Sequence, residues 1–513
     1  MIIYTFKRLI IVLTLAAIVF HLAKPIALRF MSSEDFSRRR FVWFLLTVVS
    51  FVSPSFWLYA LVAVPTFLWA NRKDSNPIAL YLLMLHVVPP FGFNIPILGK
   101  NGLFPLDNYR LLAICVLLPT AMRYRKNREE AATGGLGTMD VLLLAFGALQ
   151  VALYTSPDLP VPIPDSWSNA LRRAVLFCFD TYLLYFTVSR TCQSRNKIVD
   201  AAASFCLACG VMASIAIFEN LRHWLLYLEV VGNWGFPLRD VDWLTRGVEL
   251  RAQASAGHPL SLGFLLAIAF GLWLYLKTHV QRGPRRIASP LLLWGGLFAA
   301  FSRGPWLGAV TAYFTFFAAG PRAASRLAKG ALLALGVGLL IMLSPIGDRI
   351  LDVLPIMGNK ADANIIYRER LSERGWEIVM RHPLFGDQFP YPEMEDLRQG
   401  EGIIDFVNSY LQVALNYGLI GLSLFLSFIL LGISRIFART RALMHSDPDL
   451  ALLGVSLIAC IVAALEMIYS ASFGLGAQKM FYVLAGLATA YSAMPVSPRH
   501  RPAASSALRP TQD

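Results

Sequence analysis

Apolar runs alternate with short basic breaks along almost the whole chain. Each run is about long enough to cross a ~30 Å hydrocarbon layer as a helix. The breaks fall at Lys24 to Arg40, Arg72 to Lys73, Arg123 to Arg128, Arg190 to Lys197, Lys277 to Arg286, Arg322 to Lys329, Arg435 to Arg441 and the tail from Arg499. If helices alternate between them, all of these share one face, which the positive-inside rule assigns to the cytoplasm. The pattern predicts an all-α polytopic membrane protein with about 14 transmembrane helices counted from Phe41, and two long periplasmic loops. The run Leu9 to Ala23 is a candidate additional span at the N-terminus, although Lys7 and Arg8 oppose the outside amino end it requires. No small-residue cleavage site follows it, so it reads as retained and not as a signal peptide.

The same pattern divides the chain. Residues 1–40 hold the first apolar segment and a basic cytoplasmic loop, and 41–218 the N-terminal transmembrane helices. Residues 219–259 form a periplasmic loop, and 260–343 central transmembrane helices with a Ser-Arg-Gly turn. Residues 344–407 form the large periplasmic loop, 408–494 the C-terminal transmembrane helices, and 495–513 a disordered cytoplasmic tail rich in Pro, Ala and Ser. Long loops with their own charged and aromatic content are usually functional.

Composition agrees: 56% of residues are hydrophobic, 15% are charged, and the mean hydropathy is +0.55. A soluble domain is excluded. The net charge of +14 sits in the breaks between apolar runs, so it sets topology and does not point to nucleic acid. The six cysteines lie in or beside apolar segments. Cys206 and Cys209 form a C-x-x-C, but within helix-interior sequence and without a second pair, so packing is the expectation.

Against that scaffold, arginines on the other face stand out, because the topology rule depletes them there. They are Arg251 in RAQASAGHPLSLG, Arg303 in FSRGPWLG, and Arg368, Arg370 and Arg374 in YRERLSERGWEIVMRHPLFG. A guanidinium is permanently charged and presents a rigid fork of donors that matches phosphate oxygens. The bland alternative for each is snorkelling to headgroups or pairing with Glu249, Glu369 or Glu373. His258 lies in a glycine- and proline-rich turn and is either a base or a hydrogen-bonded surface residue, and His382 ends a short helix. Asp405 precedes the helix that begins near Asn408, where it is placed to cap that helix or to act as a base. Glu393, Glu395, Asp396 and Glu401 match no calcium-loop spacing and read as a solvated acidic face. Asp180 and Glu466 fall inside apolar runs and are expected to pair with another helix.

SRGPWLG from Ser302, HPLFG from His382 and NSYLQVALNYGLIGLSLFL from Asn408 together resemble the O-antigen ligase and O-antigen or exopolysaccharide polymerase family of bacterial inner-membrane proteins. The resemblance implies a C-type glycosyltransferase with no metal and no cofactor. It would move glycan from an undecaprenyl-diphosphate-linked oligosaccharide to a growing glycan acceptor, at the periplasmic face of the lipid bilayer. A chain-length regulator and export proteins would be further partners, and nucleic acid would not. By this resemblance Arg251, Arg303 and Arg368 would bind the diphosphate; taken with the reading of the residues themselves, Arg368, Arg370 and Asp405 are the catalytic candidates, and Arg251, Arg303, Arg374, Asn408 and His258 the diphosphate- or glycan-binding ones. The ligases carry a histidine where this chain has Val407, which points toward polymerisation of repeat units and away from ligation. A ligase is the alternative, and a transporter or flippase using Asp180 and Glu466 is the reading from another class.

Overall fold

The computed structural model describes residues 2–97, 100–130, 136–155, 166–235, 245–246, 249–319, 325, 328, 330, 332, 363–398, 404–470 and 475–494. The Pro-rich cap after Ser156, most of Arg322 to Lys329, the front of the large loop to residue 362, Glu401 and the tail lie outside them.

Among the described residues helices dominate, beside two short antiparallel ribbons, Phe93–Ile97 with Lys100–Leu106 and Thr245–Arg246 with Glu249–Leu250. Five described helices are long and apolar enough to cross a membrane: Tyr4–Ala27, Arg195–Arg222, Pro259–His279, Ser409–Leu443 and Pro448–Tyr469. The expected total of about 14 rests on the spacing rule alone, and several further apolar segments are shorter or interrupted. Asn108–Leu112 runs through a π segment, Ala113–Leu117, into Leu118–Glu130, and Ser166–Phe177 runs through Cys178–Tyr182 into Leu183–Thr191. The long run from Arg195 persists as helix to Arg222, so the following loop begins at His223 and not at Glu219.

The helix Pro259–Leu276 is buried along nearly its whole length. It packs on Arg195–Arg222, Pro284–Ala299, Arg303–Ala318 and Pro448–Tyr469. Lipid tails are as apolar as leucine, so small residues that let backbones approach hold such a bundle together. A Cβ at Gly263 would stand 2.7 Å from Pro305, and one at Gly271 would stand 2.6 Å from Cys460 Sγ. The C-x-x-C is part of the same packing, for Cys206 and Cys209 both donate to carbonyls of the Pro259–Leu276 helix.

Basic breaks far apart in sequence do share one end of the bundle. Arg29, Arg195, Lys197 and His279 line one wide cavity of about 830 Å³ there. Arg195 and His279 both pair with Asp449. Just inside that end, Arg39 is fully buried. It donates to both carboxylate oxygens of Asp74 (2.6 and 2.9 Å) and of Asp200 (2.6 and 3.1 Å), and to Ser204 Oγ (3.0 Å).

The large loop has a core of its own. Leu371, Ile378 and Val379 of the helix Ala363–Arg381 pack with Met394, Leu397, Ile404 and Phe406, and with Leu411, Ala414 and Leu415 of the Ser409 helix. A Cβ at Gly375 would stand 2.8 Å from Leu411, so the two helices touch closely there.

Candidate active site

The end of the bundle opposite the basic one gathers the starts of the helices at Asn108, Ser166, Pro259, Arg303, Ser409 and Leu475. Two cavities open there, on either side of the first turns of Leu475–Ser492. Gly476 and Ala477 line one, and Gln478 and Tyr482 line the other.

The first cavity, about 320 Å³, lies among His258, Phe264, Pro305, Met467 and Pro90. Its rim is held by Glu219, whose buried carboxylate accepts the N–H groups of Leu226 (2.9 Å), Gln253 (3.0 Å) and Ala254 (2.8 Å). Those bonds fix the strand-like segment that carries Arg251. Arg251 Nη2 donates to Ser302 Oγ at 2.9 Å, and the Ala252 N–H donates to the Ala299 carbonyl at 2.9 Å. Two arginine motifs separated in sequence are thereby strapped together, with Arg303 beginning its helix immediately after Ser302. Phe301 takes a left-handed conformation (φ 45°) to make this turn. His258 caps the Pro259 helix, its Nδ1 accepting the Leu260 N–H at 3.2 Å, which leaves the ring proton on Nε2. Desolvation by surrounding protein, with Arg251 nearby, holds its imidazole below the usual histidine range, so it is neutral at pH 7.

The second cavity, about 460 Å³, lies between the Ser409 helix, Thr138–Leu153 and Ser166–Phe177. Tyr391 of the large loop forms part of its wall. Asp180 is deep in it, held by Arg110 Nη2 (2.6 Å) and Lys479 Nζ (2.5 Å), so the expected pairing of this buried carboxylate is met. Glu466 differs: its Oε2 is buried with no hydrogen-bond partner among the described residues.

The remaining candidates sit on the large loop. Arg368 and Arg370 are exposed on its helix. Arg374 ties that helix to the acidic segment, donating to the Glu393 carbonyl (3.1 Å) and to Glu377 (2.8 Å). The acidic face is largely paired, Glu393 with Arg381 and Glu395 with Arg398. Asp405 does not cap the following helix. Asn408 does, accepting from the N–H groups of Tyr410 (3.0 Å) and Leu411 (3.2 Å), because a cap must stand immediately before the first turn. The Asp405 backbone is fixed instead by Tyr367, whose hydroxyl lies 3.0 Å from its N–H and 3.1 Å from its carbonyl. The structure therefore brings Arg251, Ser302, Arg303 and His258 together in one group. Arg368, Arg370, Arg374, Asp405 and Asn408 fall in a second, on the loop and the helix it packs against.

The HPLFG and NSYLQVALNYG segments prove to be one object. The Ser409 helix is broken at Gly418 (φ 65°). The Leu419 N–H this frees donates to the Pro383 carbonyl at 2.8 Å, and Asp387 N–H donates back to Leu415 at 2.6 Å. A Cβ on Gly386 (φ 69°) would overlap the Leu415 carbonyl, and one on Gly418 the Leu384 carbonyl. Only glycine allows both the left-handed backbone and this contact.

Sequence reasoning passed over Arg110, Tyr154, Arg172, Arg173, Gln412 and Asn416, all of which line the second cavity. Arg172 and Arg173 carried a usable signal. They follow the Ser156 to Ser168 segment on the face where basic residues are depleted, as Arg251 and Arg303 do.

No curated protein matches the chain. The family model described as O-Antigen ligase matches residues 288–426, a segment that contains Arg303, Arg368, Arg370, Arg374, Asp405 and Asn408 but neither Arg251 nor His258. That segment, which includes the Ser-Arg-Gly turn and the interlocked HPLFG segment, is therefore similar to the O-antigen ligase family over 139 of the 513 residues.

Proposed function

We propose that the protein is a polysaccharide polymerase, acting on exopolysaccharide or O-antigen repeat units at the periplasmic face of the bacterial inner membrane. Its donor would be an undecaprenyl-diphosphate-linked repeat unit and its acceptor the growing glycan. The observation that carries this reading is the strap between Arg251 and Ser302. It ties Arg251 to the residue before Arg303 at a helix start, near a cavity that Pro305 and His258 line. Backbone N–H groups at a helix start and paired guanidiniums suit a diphosphate.

In the proposed reaction an acceptor hydroxyl oxygen attacks the anomeric carbon while the bond from that carbon to the diphosphate oxygen breaks. The electron pair leaves with the carrier diphosphate, and Arg251 and Arg303 stabilise the charge that develops on it. Arg368 and Arg370 would add positive charge from the loop helix. The hydroxyl proton goes to a base, for which Asp405 is the proposed group. His258 is neutral and committed to its helix start, so it is assigned to binding. Arg374 and Asn408 act by holding the loop and the Ser409 helix in register.

The test is the protein in liposomes with a lipid-diphosphate-linked repeat unit, with no nucleotide or metal added. A ladder of repeats with released carrier diphosphate is expected. Arg303→Ala should lower the rate on the order of 10²- to 10³-fold, as loss of one charge-stabilising donor does elsewhere, with the protein level unchanged. Normal laddering by Arg303→Ala would sink the assignment.

The description of the matching family favours a second reading, a ligase that attaches finished glycan to an acceptor. Full-length polymer accumulating on its carrier in a deletion strain would establish it. Transport through Asp180 is disfavoured by that residue's full engagement with Arg110 and Lys479.

A further inference from the structure

The second cavity has a chemistry that diphosphate handling at Arg251 and Arg303 does not use. Around it and its floor stand Arg110, Lys479, Arg172 and Arg173, against the carboxylates of Asp107 and Asp180. The first two cations are matched by those two acids. Arg172 and Arg173 are left over: neither forms an ion pair with a carboxylate among the described residues. Arg172 Nε donates to the Gly102 carbonyl at 2.9 Å, and the Arg173 guanidinium lies over the Tyr154 ring at 4.0 Å. Both are half-buried. A guanidinium kept partly out of water without a carboxylate is positioned to receive an anion from outside.

The rest of the lining narrows the class of anion. Tyr154 and Tyr391 contribute aromatic rings to the wall, and Gln412 and Asn416 line it from one face of the Ser409 helix, four residues apart. Amides that both donate and accept match sugar hydroxyls, and aromatic rings stack on the apolar faces of pyranose rings. The volume of about 460 Å³ accommodates a few sugar rings and not a long lipid. We propose that this cavity binds an acidic oligosaccharide, with the carboxylate of a uronate-type sugar held by Arg172 and Arg173 and its hydroxyls by Gln412 and Asn416. The inference rests on the glycan-transfer reading for its role, since it names the charge class of the glycan that the transferase handles. Its position across the first turns of the Leu475 helix from the cavity at His258 and Pro305 suits a glycan that extends away from a reacting diphosphate.

The experiment measures binding, not transfer, on the full-length protein in nanodiscs. The probes are a uronate tetrasaccharide, its carboxyl-reduced neutral counterpart, and inorganic pyrophosphate as competitor. The acidic probe should bind on the order of tenfold more tightly than the neutral one. That preference should vanish in Arg172→Gln/Arg173→Gln and survive in Arg173→Lys, while Asn416→Ala should weaken both probes alike. If the double glutamine variant does not fold, salt titration of the parent protein replaces it, with the acidic probe alone losing affinity as salt rises. Equal binding of the two tetrasaccharides overturns the proposal. So does displacement of the acidic probe by pyrophosphate, which makes the cavity a phosphate site. An acid preference without any laddering would leave this site standing and remove the polymerase. Laddering without an acid preference would do the reverse.

Discussion

Two arginine sites at opposite ends of the bundle handle charge in opposite ways. Near the basic end Arg39 is fully buried and meets Asp74, Asp200 and Ser204. At the other end Arg172 and Arg173 are half-buried and have a carbonyl and a ring face, with no carboxylate among the described residues. Removing an ion from water costs several kcal/mol, and attraction to a buried partner offsets it only when every lone pair is also satisfied. Arg39 meets that condition, so it reads as structure, locking the start of the Ser33–Val52 helix to the ends of two others. The Arg172 and Arg173 pair does not meet it among the described residues, and the unmet part reads as affinity for something else. Burial alone does not separate a structural arginine from a functional one; the carboxylate count around it does.

The sharpest break of this contrast is substitution at each site with stability as the readout. Arg39→Met removes the cation that bridges Asp74 and Asp200, leaving Arg38 at 3.7 Å from Asp74, and should cost about 3–5 kcal/mol, read as a fall in the denaturation midpoint of the reconstituted protein. Arg173→Gln should cost no more than about 1 kcal/mol, the scale of one cation–π contact. Comparable losses at both sites would erase the distinction. Gly418→Ala comes next. It forces a left-handed backbone on alanine and drives a methyl group into the Leu384 carbonyl, so a loss of roughly 2–4 kcal/mol is expected. The damage should fall on the candidate-site end: protease sensitivity of the large loop should rise while the Arg39 end keeps its hydrogen-exchange protection.

The smallest effect concerns His258. Its folded-state imidazole is held down at about 4, below the ordinary 6.5, chiefly by desolvation and then by Arg251. The unfolded chain therefore binds a proton first as pH falls. The stability this contributes is full above about 6.5 and is lost progressively toward 4. The ring is exposed at the cavity mouth, so solvent screening keeps the contribution small. His258→Gln should flatten the pH dependence of stability in that window and leave it unchanged above pH 7. A steeper dependence in the variant would show that the histidine is protonated in the fold.

Much of the scaffold was legible in the sequence because lipid imposes a simple rule: apolar runs become helices and basic breaks collect at one end. Arg251 and Arg303 were legible for the same reason, as exceptions to that rule, and the structure ties one directly to the turn that carries the other. Asp405 was misjudged as a cap because proximity to a helix start was read without counting to its first free N–H, which Asn408 reaches and Asp405 does not. The second cavity was not legible. Its lining comes from segments as distant as Arg110, Tyr154, Arg173, Tyr391 and Asn416, and no local spacing announces that packing will bring them together. The ribbon Phe93–Leu106, whose Gly102 carbonyl receives Arg172, was also hidden, since Pro and Gly within it argue against a strand.

The contact between Gly386 and Gly418 has a consequence for how such a sequence can change over generations. Each backbone occupies the space that a side chain on the other segment would need, so neither position can drift alone, and a change at one finds no remedy at the other. The HPLFG and NSYLQVALNYG words are therefore constrained as a pair, although 21 residues lie between them. A chimera that takes the large loop from one relative and the following helix from another should remain functional only where the junction keeps both glycines and the carbonyls they meet.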